Sequence, residues 1–178
     1  MIFTETPLSG AFVIEIEKHM DERGFFARTF CSREFENHGL DPHFVQCNIS
    51  YNKQKGTLRG MHYQEELRAE AKLVRCTKGA IYDVIIDLRR DSPTYCQWLS
   101  TELKSDANRM LFVPKGFAHG FQTLEPDTEV FYQMTEFCHP ECARGIRWND
   151  LSFSIIWPIS DRIISRQDQS YPDFKGSS

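Results

Sequence analysis

The chain lacks several features, and each absence removes a class of function. It has no basic surplus: 21 Lys and Arg stand against 25 Asp and Glu, for a net charge of -4. Nucleic-acid partners usually carry a concentrated basic face, so that class is disfavoured, although a small anionic ligand needs only a local cluster. No run approaches transmembrane length. The first residues, Met1 to Pro7, have neither a basic segment nor an apolar one of the kind that directs secretion, so the sequence reads as cytoplasmic. Six cysteines are present, but none forms a Cys-x-x-Cys pair, and Cys138 and Cys142 have no second pair to complete a zinc site. They read as free thiols that behave as small buried hydrophobes. No Gly-x-Gly-x-x-Gly run offers a dinucleotide cradle. Repeats, linkers and low-complexity stretches are missing too, which leaves one domain over residues 1–178.

What is present is a strand-rich pattern with 14 Phe. Pro7-Leu8-Ser9-Gly10 is turn chemistry between two short strands, and Ala11 to Ile16 is β-rich. Asp21-Glu22-Arg23-Gly24 is a charged tight turn leading into Phe25 to Phe30. Ser32 to Leu40 predicts a short helix with Ser32 as N-cap and Gly39 as its stop; His38 in its last turn suits the helix dipole. Strand-sized runs follow at 44–50, 72–76, 80–88, 97–103 and 129–135, and Met110 to Val113 leads into the glycine-bracketed segment 114–124. Ser165 to Asp168 opens a short helix or turn. Runs of this size, with turns about every ten residues, indicate an all-β antiparallel sandwich or small barrel.

The chemistry concentrates around Thr57-Leu58-Arg59-Gly60-Met61-His62-Tyr63-Gln64. Arg59 and His62 cannot both be spent on an apolar core, and a neutral imidazole is a natural proton acceptor near neutral pH. Lys72, His119, Tyr132 and Asp168 are the downstream groups that can converge with them on one sugar-sized pocket. Asp83 interrupts an apolar run and needs a cation, for which Lys72 is the expected partner. His119 lies between Gly116 and Gly120, where the backbone is expected to turn sharply into a strand. Tyr132 shares a face with Val130 and Met134, a common setting for a core tyrosine. Gln46, Asn48 and Ser50 share one strand face, which is either the solvent side or a set of hydrogen-bonding tools lining a pocket. Arg23 and Arg28 flank two Phe, which suits either a phosphate and flat-base pocket or a solvated turn.

Five segments occur in order: Asp21-Glu22-Arg23-Gly24-Phe25-Phe26, Leu58 to Gln64, Lys72-Leu73-Val74-Arg75-Cys76, Phe117-Ala118-His119-Gly120-Phe121 and Trp148-Asn149-Asp150. Together they resemble the nucleotide-sugar 3,5-epimerases of the dTDP-4-dehydrorhamnose 3,5-epimerase family, from about residue 2 to 174. The resemblance implies a cupin-type jelly roll with short peripheral helices, a homodimer, and neither metal nor organic cofactor. It also implies roles. His62 matches the base, Asp168 the carboxylate that orients it, Lys72 the cation beside the sugar ketone, and Tyr132 the acid on the opposite face. His119 matches a further pocket histidine. Arg59 and Arg23 match positions facing the nucleotide and its diphosphate, and Gln46, Asn48 and Phe26 the wall around the nucleoside.

Nucleotide-side positions depart from that pattern. Arg28 stands where a Glu commonly contacts the nucleoside, and Phe137-Cys138 stands for a Tyr-Tyr pair. Ala143 replaces a Glu, Gln167 a Lys, and Cys47 and Ile49 flank Asn48 in place of Asp and His. A CDP-linked or other nucleotide-linked 4-keto sugar therefore stays open beside dTDP, as does epimerisation at one carbon only. Two rival classes are a metal-dependent cupin oxygenase or isomerase, with His62, Glu66 and His119 as ligands, and a non-catalytic sugar-nucleotide binder. The usual His-x-His pair of metal cupins is missing, and the full catalytic set counts against the binder.

Overall fold

Apolar and polar alternation becomes strand almost wherever the sequence predicts it. The computed structural model describes residues 1–176. Its elements are β1 (Ile2–Glu5), β2 (Phe12–Glu15), β3 (Lys18–Asp21), β4 (Gly24–Ala27), α1 (Ser32–Asn37), β5 (Gln46–Asn52) and β6 (Thr57–Gln64). After a 3-10 turn at Glu66–Arg68 come β7 (Lys72–Lys78), β8 (Ala80–Asp87), β9 (Trp98–Lys104), β10 (Arg109–Val113), β11 (Phe117–Thr123) and β12 (Thr128–Met134). The chain finishes with β13 (Ala143–Gly145), β14 (Ile163–Ile164) and α2 (Arg166–Ser170).

Two sheets face each other. One runs β1-β2-β10-β7-β12-β5; the other runs β13-β6-β11-β8-β9, with β14 parallel to β6. Between them lie Val74, Cys76, Leu111 and Val130 from the first sheet and Ile81, Ile85, Leu103 and Phe121 from the second. Burying each large aliphatic side chain contributes about 1.5–3 kcal/mol, so this interleaved layer supplies much of the driving force. The outer faces are also covered. Phe35 of α1 packs with Phe12, Leu73 and Phe112 on the first sheet, while Phe153 and Trp157 pack with Leu58, Met61 and Ile86 on the second. Double coverage explains why β8 reads as a nearly continuous apolar run.

The structure corrects several sequence expectations. The helix begins at Ser32, so its N-cap is Cys31, which makes no capping side-chain bond. On β5 the polar residues face inward, and Cys47, Ile49 and Tyr51 face solvent. The pocket, not bulk water, satisfies those amides. All six cysteines are free, but only Cys76 is buried; Cys47 and Cys138 are exposed. His119 is not at a turn. It lies inside β11, which is buried along its length.

A hairpin of β3 and β4 stands apart from both sheets. Its strand residues are exposed except for the half-buried Ala27, and Phe26 is 76% exposed.

Candidate active site

Arg59 and His62 are three residues apart, and strict alternation would send them to opposite faces of β6. A β-bulge prevents this. His62 pairs with His119 and Arg59 with Phe121, so two steps along β11 match three along β6. Bulges of this kind re-aim a side chain, and here both polar residues reach the inner face. Glycines make the bulge possible. Gly60 has φ +118°, and a Cβ there would meet the Gly120 Cα at 2.6 Å and the His119 carbonyl oxygen at 2.9 Å.

His62, Arg59, Lys72, His119, Tyr132 and Asp168 line one cavity of about 530 Å³, together with Gln46 and Asn48. The convergence predicted from the sequence therefore holds for the first six, and the open choice for Gln46 and Asn48 falls to the pocket. A second cavity of about 550 Å³ lies beside α1, lined by residues including Phe12, His38, Arg89 and Lys115, and holds none of the eight.

The best-defined contact is between His62 Nε2 and Asp168 Oδ1, at 2.7 Å. Asp168 comes from α2, where its backbone N–H bonds the Ser165 Oγ at 3.0 Å, a capping arrangement that fixes the carboxylate's approach. Burial works to raise the Asp168 carboxyl, but the His62 hydrogen bond, the imidazole charge and the Gly60 N–H outweigh it. The carboxyl lies below its ordinary range and is ionised, so Nε2–H donates to it. In the neutral ring, that leaves Nδ1 of the half-exposed His62 as the nitrogen with a free lone pair. The ring of Tyr171 stands edge-on to the imidazole, 5.8 Å between centroids.

A second histidine–carboxylate pair lies beside the first. His119 Nε2 is 2.9 and 3.0 Å from the two oxygens of Asp83. The expected Asp83–Lys72 pair is thus replaced: His119 takes Asp83, and Lys72 Nζ sits 2.9 Å from Glu70. Complete burial raises the Asp83 carboxyl despite its histidine. Lys72 remains close enough to act on Asp83 electrostatically. Burial also raises the Tyr132 hydroxyl, keeping it protonated and able to donate. Tyr132 comes from β12 of the first sheet and His62 from β6 of the second, so they line facing walls.

On the remaining wall, Arg59 Nε donates to Asn52 Oδ1 at 2.8 Å. Gln46 Nε2 donates to Asn48 Oδ1 at 3.3 Å. Arg23, Phe26 and Arg28 do not join the pocket of their own chain. Arg23 is 85% exposed and pairs with Asp21, Phe26 projects from the hairpin, and Arg28 pairs with Glu34. Sequence reasoning overlooked Glu70, Tyr171 and Arg144, all of which line the pocket. A charged residue two before Lys72 and an aromatic three after Asp168 were the signals available.

Among the described residues, no three His, Cys, Asp or Glu side chains group as metal ligands. The side chain of Glu66, one of the three proposed ligands, lies outside them. Among the described residues no helix is long and apolar enough to cross a membrane.

Comparison with known proteins agrees with this geometry. The sequence profile of the dTDP-4-dehydrorhamnose 3,5-epimerase family matches residues 5–176. The dTDP-4-dehydrorhamnose 3,5-epimerase of Methanothermobacter thermautotrophicus is 44% identical over 172 residues, covering 95% of this chain and 92% of the relative. The crystal structure of the Bacillus anthracis dTDP-4-dehydrorhamnose 3,5-epimerase, with TDP and pyrophosphate bound, superposes with a TM-score of 0.94. It is 42% identical and covers 97% of this chain and 99% of that one. The Legionella pneumophila dTDP-6-deoxy-D-glucose-3,5-epimerase, in complex with dTDP-4-keto-L-rhamnose, superposes at 0.89 with 34% identity, covering 98% and 99%. The sandwich is accordingly the cupin-type jelly roll that the resemblance implied. With the bulge, the His62–Asp168 pair and this likeness in hand, the chain belongs to the dTDP-4-dehydrorhamnose 3,5-epimerase family.

Proposed function

We propose that this protein is a cofactor-independent isomerase that epimerises C3, C5 or both in a nucleotide-linked 4-keto-6-deoxy sugar, of the dTDP-4-dehydro-6-deoxy-glucose to dTDP-4-dehydro-rhamnose type. The observation that carries this reading is the His62–Asp168 pair, aimed into a pocket whose facing wall holds Tyr132.

The chemistry follows from the sugar. C3 and C5 both flank the C4 carbonyl, so loss of either proton gives an enolate with its charge on O4. His62 Nδ1 takes the proton, and Asp168 holds the imidazolium that forms. A positioned base contributes about 10²–10⁴-fold. That does not bridge the gap to so weak a carbon acid, and charge stabilisation at O4 is the larger need. Lys72 supplies it, with His119 beside it. Tyr132 O–H then delivers a proton to the opposite face of the same carbon, which inverts it. One proton leaves and one arrives, and no electrons are exchanged with a carrier.

Residues 1–178 work as one catalytic domain in this reading. Arg59 faces the diphosphate, and Gln46 and Asn48 the nucleoside. Arg23, Phe26 and Arg28, outside their own chain's pocket, serve a homodimer in which each hairpin reaches the partner's nucleotide. Exposed Met20, Phe25 and Phe26 on a hairpin outside the sandwich support that arrangement. Six free thiols fit a reducing cytoplasm.

Cys138 and Ala143 in the pocket wall favour a second reading for the base: CDP or another nucleoside diphosphate in place of dTDP. Calorimetry with dTDP, CDP, UDP and GDP separates them. The reaction itself is tested by deuterium uptake at C3 and C5 of a 4-keto sugar nucleotide in D₂O. Failure of exchange with every such sugar excludes it.

A further inference from the structure

Glu70 forms part of the pocket wall, and none of the steps above uses it. Its side chain is only 4% exposed, and its Oε1 lies 2.9 Å from Lys72 Nζ. The other oxygen, Oε2, is buried without a hydrogen-bond partner among the described residues. Leaving a buried carboxylate oxygen unsatisfied costs stability, and packing alone would be served at least as well by an apolar side chain. Core filling therefore does not account for Glu70.

Its placement relative to Lys72 does. Lys72 opens β7 between Val113 of β10 and Met134 of β12. The charged and titratable groups around it are Glu70 just ahead of β7, Asp83 on β8, His119 on β11 and Tyr132 on β12. Lysine is a point charge on a flexible four-carbon stem. Without a second carboxylate, its ammonium can fold onto Asp83, where it would compete with His119 and leave the pocket. With Glu70 in place, Lys72 and His119 each have their own carboxylate, and the ammonium is held at the wall.

We propose that Glu70 is a positioning residue, holding the Lys72 ammonium away from Asp83 and toward the ketone oxygen of a bound 4-keto sugar. The proposal rests on the epimerase reading and assigns it a further working part. Misplacing a reacting group by about 1 Å can cost 10²-fold in rate, which sets the expected size of the effect.

The test uses the intact protein with a 4-keto-6-deoxy sugar nucleotide and the variants E70Q, E70D, K72M and E70Q/K72M. E70Q is expected to lower kcat about 10–100-fold, with KM within about threefold of wild type. E70D, which keeps the charge, should fall between E70Q and wild type. In the K72M background, E70Q should cost no further kcat, because the residue acts through Lys72. Should E70Q fail to fold, E70D carries the test: reduced kcat at unchanged KM supports the proposal, and full kcat overturns it. An E70Q enzyme with undiminished kcat and only a lower melting temperature overturns the proposal alone, as do E70Q and K72M losses that multiply. A wild-type protein inert toward every 4-keto sugar nucleotide overturns the epimerase reading, and this proposal with it.

Discussion

His62 and His119 are direct cross-strand partners on β6 and β11, and each imidazole gives its Nε2 to a different carboxylate. The pairs differ in depth. Asp83 is fully enclosed and its carboxyl is raised, whereas Asp168 is tied to a short C-terminal helix and its carboxyl is lowered. The pair with the ionised carboxylate and the half-exposed ring is suited to move a proton. The enclosed pair is suited to hold charge in place.

Replacing His62 by Ala should abolish both deuterium exchange and epimerisation, with a loss of at least about 10²–10⁴-fold. The ring is half-exposed, but the buried Asp168 loses its hydrogen-bond donor, so the melting temperature should fall as well. NMR of the sugar nucleotide in D₂O reads the first effect and calorimetry the second.

Tyr132→Phe separates the two halves of the reaction. The base still removes the proton, so exchange at the carbon should persist, while inversion slows by about 10²-fold or more. A variant that epimerises at the wild-type rate would mean that another group delivers the proton.

Asp168 links the site to acid stability. Its carboxyl lies below the ordinary value of 3.8 in the folded protein. The stability it contributes is complete above the unfolded value and disappears as pH falls through the lower folded value. Asp168→Asn should therefore weaken the dependence of melting temperature on pH across the acid range, and it should lower kcat by removing the negative charge that holds the His62 imidazolium. Melts from about pH 2.5 to 7 test the first part.

Gly60 tests the bulge. A Cβ there has no space against Gly120, and the backbone is in a region that side chains rarely adopt. Gly60→Ala should cost about 2–5 kcal/mol, combining strain and overpacking. A melting temperature within 1–2 °C of wild type would contradict this, since each kcal/mol is worth about 2–4 °C at this chain length.

Much of the fold was legible because strand alternation, turn glycines and one short helix are local signals. The runs at 80–88 and 129–135 became β8 and β12 within a residue at each end. What could not be read depends on tertiary pairing. Nothing local shows that β6 carries an extra residue against β11, the feature that puts Arg59 and His62 on one face. Asp83 plainly needed a cation, but the choice between Lys72 and His119 is made by the β8–β11 register, which sets Asp83 opposite Phe121 and His119 two pairs away, on the same face. The direction of the Gln46–Asn48–Ser50 face likewise depends on β5 being an edge strand beside the pocket.

Proton NMR of a nucleotide-linked 4-keto-6-deoxy-glucose incubated with the protein in D₂O reads both the reaction and its base. Deuterium is expected at C3, C5 or both with wild type, and none above background with His62→Ala. Exchange that continues unchanged in His62→Ala would contradict the assignment of the base, and no exchange by the wild-type protein with any such sugar would contradict the epimerase function itself.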